Sequence, residues 1–291
     1  MDYRLALEQA IIYVEDRLGE AIKVEDVAQA AGYSYYHLNR QFTAILGESI
    51  GSYIKKRRLA NAAKALLYSN LKIIDIALDN GFESAESFSR AFKWVYKISP
   101  QEYRINRLDT FIASKHKLSS DLLEHLTCNV TVHPYIITIP ETKVAGIRGT
   151  TTLKDNKLAE LWQEFIQISP QIPHRSLHGR GFGICEACHD NSLYSMSNEV
   201  LFTEVAGIEV DSFDGLTTNF VQKIIPEGRY AVFTHTGTLR KLPQTFQYIW
   251  GTWSLNTKEE IDDREDFELY DQRYLGYDHP ESKVDLYIPI K

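Results

Sequence analysis

The chain has 291 residues, 44% hydrophobic and 24% charged; the length suggests about two domains, and the composition excludes a disordered or collagenous protein. Its longest apolar run, Ala10 to Val14, is far short of the roughly 18 residues a membrane span needs, and no leader pattern precedes it, so a cytoplasmic protein without a membrane partner is expected. The net charge of −7 is unevenly spread: residues 28–117 hold 14 basic and 7 acidic side chains and 118–291 hold 15 and 25, which keeps a nucleic-acid partner open for the first part alone.

A repeat opens the chain. Val24, Val27, Ala28, Ala31 and Gly32, then Leu38, Arg40 and Phe42, align with Ile73, Ile76, Ala77, Asn80 and Gly81, then Phe88, Arg90 and Phe92. The glycines are 49 residues apart and the arginines 50, so one extra residue follows the second turn. Each copy has the pattern of a helix-turn-helix: a helix with a small alanine for close approach, a glycine able to turn left-handed, then a second helix with its apolar side inward. In the first copy Leu38, Phe42 and Ile45 face the core and Tyr36, Asn39 and Arg40 face out; in the second Phe88 and Phe92 face in and Ser87, Ser89 and Arg90 face out. Arginine can bind guanine bidentately and asparagine can do the same to adenine, so these are candidate base-reading residues.

Between the copies, Tyr53 to Leu67 reads as a helix whose basic run, including Lys55 and Lys56, suits phosphate contact. Ser99-Pro100-Gln101-Glu102 is a capping box with proline at the first helical position, predicting a last helix that carries Tyr103, Arg104 and Arg107 and closes the domain.

These motifs, Gly32 to Phe42, Ile76 to Ser84, Phe88 to Lys93 and Ser99 to Arg104, resemble the DNA-binding domain of AraC/XylS transcription regulators. The resemblance implies that both recognition helices enter successive major grooves of one asymmetric double-stranded site, that one chain suffices, and that RNA polymerase is a partner. Glu86 departs from the pattern, standing where relatives carry a neutral glutamine; facing DNA it is repelled unless it accepts from cytosine N4.

Residues 108–130 read as a linker with a short helix near 119–126, separating a 1–107 DNA-binding domain from a 131–291 domain. The second domain repeats too. Ile139-Pro140-Glu141 to Ala145 is echoed 86 residues on by Ile225-Pro226-Glu227 to Ala231, each beginning a strand. A helix follows in both copies, with Leu158, Leu161, Trp162, Phe165 and Ile166 apolar in one and Phe246, Ile249, Trp250 and Trp253 in the other. Strands at 179–188 and 200–210, and at 267–274 and 283–290, complete two strand-helix-strand-strand modules. The expected fold is therefore an all-α domain followed by an α+β one, an antiparallel sheet with helices on one face.

Ile225 to Phe233, Gly237, Tyr248 to Trp253, Asp266 to Tyr270 and Tyr287 to Pro289 resemble the GyrI-like effector-binding domain. That resemblance implies a cleft for a bulky lipophilic, often cationic, small molecule, with Glu268 as the carboxylate. Strand alternation sets Phe267 and Leu269 on one side and Glu268 and Tyr270 on the other, so Glu268 can sit among aromatics, with Tyr248, Trp250 and Tyr270 offering cation-π contacts. Two alternatives stand beside this reading: a hydrolase using Glu268 with Tyr270 or Tyr230, and a protein-docking module.

Cys185-Glu186-Ala187-Cys188-His189 matches a haem-attachment pattern, with His174 and His178 upstream. Haem attachment needs export, and strand alternation separates the two thiols, so neither haem nor zinc is expected. With Cys128 these make three cysteines, too few and too odd in number for a secreted disulfide framework. No phosphate-binding loop, dinucleotide fingerprint or nucleophile elbow appears, so no cofactor and no enzyme activity is expected.

Overall fold

A computed structural model describes residues 3–106, 115, 117–152, 155–186 and 201–291. The chain divides into two units, one formed up to Cys128 together with Pro243–Asn256, the other by most of Asn129–Leu242 and by Thr257–Lys291. The expected contiguous 131–291 domain thus gives up Pro243–Asn256 to the first unit. The reason is burial: Tyr248, Ile249 and Trp253 are buried there, and Leu255 packs on the core that Leu59, Phe88, Phe92 and Tyr103 share.

The first unit contains α1 (Tyr3–Glu15), α2 (Val24–Ala30), α3 (Tyr35–Leu46), α4 (Ile50–Tyr68), α5 (Ile73–Asp79), α6 (Ala85–Tyr96), α7 (Pro100–Asn106) and α8 (Ser120–Cys128). The pairs α2–α3 and α5–α6 are the two helix-turn-helix units. Gly32 and Gly81 take φ of 72° and 70°, and the next amides, Tyr33 and Phe82, bond back to Ala28 and Ala77 at 3.0 Å. Ser34 and Ser84 then cap α3 and α6, and the extra residue of the second copy lies between its glycine and that serine.

Helix α4 joins the two units. Its Arg58 donates to Leu18 O at 2.8 Å and Gly81 O at 3.2 Å, tying the end of α1 to the second turn. A methyl group on Gly81 would lie 2.7 Å from that guanidinium, so the turn needs glycine for space as well as for φ. The predicted capping box opens α7, with Ser99 N donating to Glu102 Oε2 at 2.8 Å and Glu102 N to Ser99 Oγ at 3.2 Å. Arg104 then donates to Leu66 O and Leu71 O, which fixes α7 against α4.

The second unit holds β1 (Tyr135–Ile139), β2 (Thr142–Thr151), α9 (Leu158–Ile168), β3 (Gly181–Glu186), β4 (Phe202–Glu209), β5 (Val221–Ile225), β6 (Gly228–Thr236), β7 (Phe267–Tyr270) and β8 (Lys283–Ile290). Among the described residues eight strands form one antiparallel sheet in the order β1-β6-β8-β7-β3-β4-β2-β5. The order is symmetric about the β7–β3 pair, as two copies of one module require. Between β1 and β2 lie only Pro140 and Glu141, a step that spans at most about 11 Å. In a flat sheet six strand spacings, about 29 Å, would separate these strands, so the sheet curls on itself. The repeated Ile-Pro-Glu segments are its corners: Ile139 stands opposite Gly228 and Thr142 opposite Ile225, and each proline interrupts the ladder where the strand bends.

Alternation gives the sheet two faces. Val144, Phe182, Ile184, Val205, Phe267 and Leu269 pack together on one. Ala145, Ile147 and Ala206 lie on the other beneath Leu161 and Phe165 of α9. Ile166, expected in the apolar stripe of α9, is 63% exposed. The remaining helix, α10 (Leu242–Tyr248), runs into a π-helical turn, Ile249–Trp253.

Candidate functional site

On α3, Tyr36 is 83% exposed and Arg40 is also exposed. Asn39 is half-buried, and its Oδ1 accepts from Ile50 N at 3.2 Å, so it holds the start of α4 as well as bordering the outer face. On α6, Arg90 is exposed and Ser89 half-buried, while Ser87 is engaged in the cap: its N–H donates to Ser84 Oγ at 3.1 Å and its hydroxyl to Ser84 O at 2.9 Å. Two further outward residues, Lys93 and Trp94, extend this stripe, and neither was among the residues the sequence singled out as DNA contacts. Glu86 is exposed in the first turn of α6, where that turn's amide and the Ser84 hydroxyl hold its carboxyl below the usual range.

The basic run of α4 is divided by helical geometry, since four consecutive residues wrap a full turn and cannot share one face. Lys55 is exposed. Lys56, expected at phosphate, is buried against Glu48 at 3.1 Å. Arg57 is buried in a two-pronged pair with Glu15 at 2.7 and 2.8 Å, and Tyr53 donates to the same carboxylate at 2.7 Å. Burial alone would raise Glu48, but Lys115 and Lys56 outweigh it and hold the carboxyl low. Lys56 is therefore a structural ion-pair partner, not a phosphate contact.

In the second unit Glu268 and Tyr270 share the α9 face of β7, as alternation predicts, and the Tyr270 hydroxyl donates to Glu268 Oε2. Gly183 of β3 lies opposite Glu268 and gives it room: a methyl group there would come within 3.3 Å of Glu268 Oε2 and 3.0 Å of Glu204 Oε1. Glu204 of β4 is 4% exposed and takes a hydrogen bond from Trp162 of α9. Trp162 in turn packs on Tyr270 with ring centroids 4.9 Å apart, and Tyr274 packs edge-on at 5.1 Å. Burial pushes Glu268 up to about 7 and, together with the Glu268 charge, raises Glu204 well above the carboxylate range. Burial likewise pushes Asp266 up to about 6. Among the described residues no cation pairs with Glu204, Glu268 or Asp266; Arg148 and Lys223 are held by Glu186 and Glu265 on the other face.

The family described as integron-associated effector binding protein matches residues 135–290, more than half the sequence. The chain belongs to that family. A helix-turn-helix domain matches residues 27–106. The right origin-binding protein of Escherichia coli K12 is 26% identical over 264 residues, covering 87% of this chain and 85% of that protein. The uncharacterized HTH-type transcriptional regulator YbfP of Bacillus subtilis is 46% identical over 104 residues, 36% of this chain; the chain spans 35% of that relative's length. The structure of SAV2435 bound to tetraphenylphosphonium aligns over 54% of this chain and 93% of that one, with TM-score 0.43 and 14% identity. This member of the family is a transcriptional regulator in which an AraC-type helix-turn-helix domain precedes a GyrI-like effector-binding domain.

Two aromatics expected beside Glu268 lie in the first unit instead. Tyr248 is buried against the α3–α4 connector, where a methyl group on Gly47 would touch its hydroxyl, and Trp250 is half-buried in the π-helical turn. Burial and the charge of Glu48 raise the Tyr248 hydroxyl. The ring that does meet the carboxylates, Trp162, comes from the other copy of the repeat. Tyr230 is buried on the opposite sheet face, packed on Phe267 at 5.4 Å, so it cannot assist Glu268. Cys185 lies on β3, while Cys188 and His189 fall outside the described residues. Among the described residues no group of three or more His, Cys, Asp or Glu is placed to hold a metal, and no helix is long and apolar enough to cross a membrane.

Proposed function

We propose that this regulator reads one asymmetric double-stranded site as a single chain and that its second unit senses a lipophilic, cationic small molecule. The observation that carries the DNA reading is the unlike outward sets of the two recognition helices. Tyr36, Asn39 and Arg40 on α3 differ from Glu86, Ser89 and Arg90 on α6, so a palindrome would satisfy only one of them. Tyr36, Arg40, Ser89 and Arg90 face the bases, Asn39 and Ser87 hold the helices that present them, and Lys55 meets a phosphate. RNA polymerase is the partner that a regulator of this kind recruits or excludes. A one-to-one end point in a stoichiometric anisotropy titration of a selected duplex supports this, and two chains per duplex contradicts it.

The effector reading rests on Glu268, a half-buried carboxyl without a cationic partner among the described residues, flanked by Tyr270, Tyr274 and Trp162. Such a carboxyl either takes a proton or recruits a cation. Glu268→Gln is expected to weaken cationic ligands more than neutral ones of equal size, as measured by calorimetry. Equal losses for both would remove charge recognition from the account.

A further inference from the structure

Glu204 sets this site apart from a single carboxylate in an aromatic cage. It stands across Gly183 from Glu268, and both carboxyl groups close on that glycine, where a methyl group would lie 3.0 Å from Glu204 Oε1 and 3.3 Å from Glu268 Oε2. The Trp162 indole bonds to the Glu204 carboxyl, and Glu204 Oε1 is buried without a hydrogen-bond partner among the described residues. The groups facing the pair include Cys185 and Gly183 on β3, Gly149 on β2, Asp266 just before β7, Tyr270 on β7, Tyr274 beyond it and Trp162 on α9. Every described charged group in that set is acidic.

We propose that the Glu204–Glu268 pair makes this unit a receptor for a planar aromatic cation whose charge is carried on N–H groups, an amidinium or guanidinium, in preference to a fully substituted onium of the same charge and size. The inference rests on the cation-sensing reading above. A tetra-substituted onium offers charge and surface but no donor, so it leaves Glu204 Oε1 buried and unsatisfied, an expensive state for a polar atom. An amidinium places two N–H groups in one plane and can donate to Glu268 and to Glu204 Oε1 together, with the charge-assisted bonds that such pairing strengthens. Its flat body suits the rings of Trp162 and Tyr270, which meet at 59° beside the pair.

Burial and the neighbouring Glu268 charge keep a proton on the pair before the ligand arrives. The amidinium arrives fully protonated; the pair loses its proton to solvent as it accepts the two N–H bonds, so affinity is expected to rise between pH 6 and pH 8.

The test is calorimetric titration of the full chain with 4-phenylbenzamidine, with biphenyl-4-yltrimethylammonium as the matched onium, and with tetraphenylphosphonium. Wild-type protein is expected to bind the amidine about tenfold more tightly than the matched onium at pH 8, with proton release read from the buffer dependence of the heat. Glu204→Gln should shrink that gap to within about threefold by weakening the amidine more than the onium. An onium bound as tightly as the amidine by the wild-type chain overturns the inference without needing the variant, and leaves cation sensing standing. A gap that survives in a folded Glu204→Gln chain also overturns it. If none of the three cations binds, cation sensing falls and takes this inference with it.

Discussion

Both halves of the chain are built from duplicated units, and the two duplications have been used in opposite ways. In the N-terminal one the copies remain alike: both have a glycine turn, a serine cap and an outward arginine, and α4 lies between them with Arg58 bonded to the second turn. In the C-terminal one the strands remain alike while the helices have parted. Helix α9 lies on its own sheet and brings Trp162 to Glu204, whereas Pro243–Asn256 of the other copy packs with the N-terminal helices, meeting Glu48 with Tyr248 and Asn256 and its partner Lys115 with Thr252. Duplication preserves secondary structure because local pattern specifies it. It does not preserve which surface a helix covers.

The largest effect is expected where the straying helix meets the charged network. Glu48→Ala leaves Lys56 and Lys115 buried without their carboxylate and should destabilise the first unit by about 3–5 kcal/mol in urea unfolding. A loss under about 1 kcal/mol would show that the segment packs there without engaging those charges. Next come the paired arginines. Arg40→Ala and Arg90→Ala should each cost about 1–3 kcal/mol at the specific site and little on random DNA, and a uniform loss across all sequences would reduce them to phosphate contacts.

The divergence of the C-terminal copies is sharpened by Trp162→Ala and Trp250→Ala. The first should weaken a cationic ligand by about 0.5–2 kcal/mol in calorimetry and the second hardly at all, and equal losses would undo the asymmetry. The carboxyl pair adds a pH signature. Glu268 and Glu204 are raised in the folded chain, so their contribution is fully present below the unfolded pKa, near 4, and the Glu268 share is lost as pH rises through about 7. Unfolding of the second unit should therefore become easier from pH 5 to pH 8, and Glu268→Gln should flatten that trend. The smallest effect belongs to Lys55→Ala, which should lower the salt dependence of DNA binding by about one ion, whereas Lys56→Ala should act on stability instead.

Much of the fold was legible because its signals are local. Gly32, Gly81, Ser84 and the Ser99–Glu102 box act within a few residues, and alternation alone assigned Glu268 and Tyr270 to one face. Legibility ended where distant segments meet. Glu204 lies 64 residues before Glu268 and joins it only through the β4–β3–β7 pairing, so no spacing announced it. Trp162 and Trp250 both had the periodicity of a core residue, and only the family resemblance drew Tyr248 and Trp250 toward the site. Lys56 was misread because a run of basic residues on a helix points in every direction, inward included.

The central claim is that two unlike readers in one chain engage one duplex. Hydroxyl-radical footprinting of the full chain on a selected asymmetric site tests it most directly, with Arg40→Ala and Arg90→Ala compared to wild type. The account predicts one continuous footprint from one chain, with Arg40→Ala clearing protection at one end and Arg90→Ala at the other. Loss of protection at the same end in both variants, or a footprint that forms only when two chains bind, would contradict it.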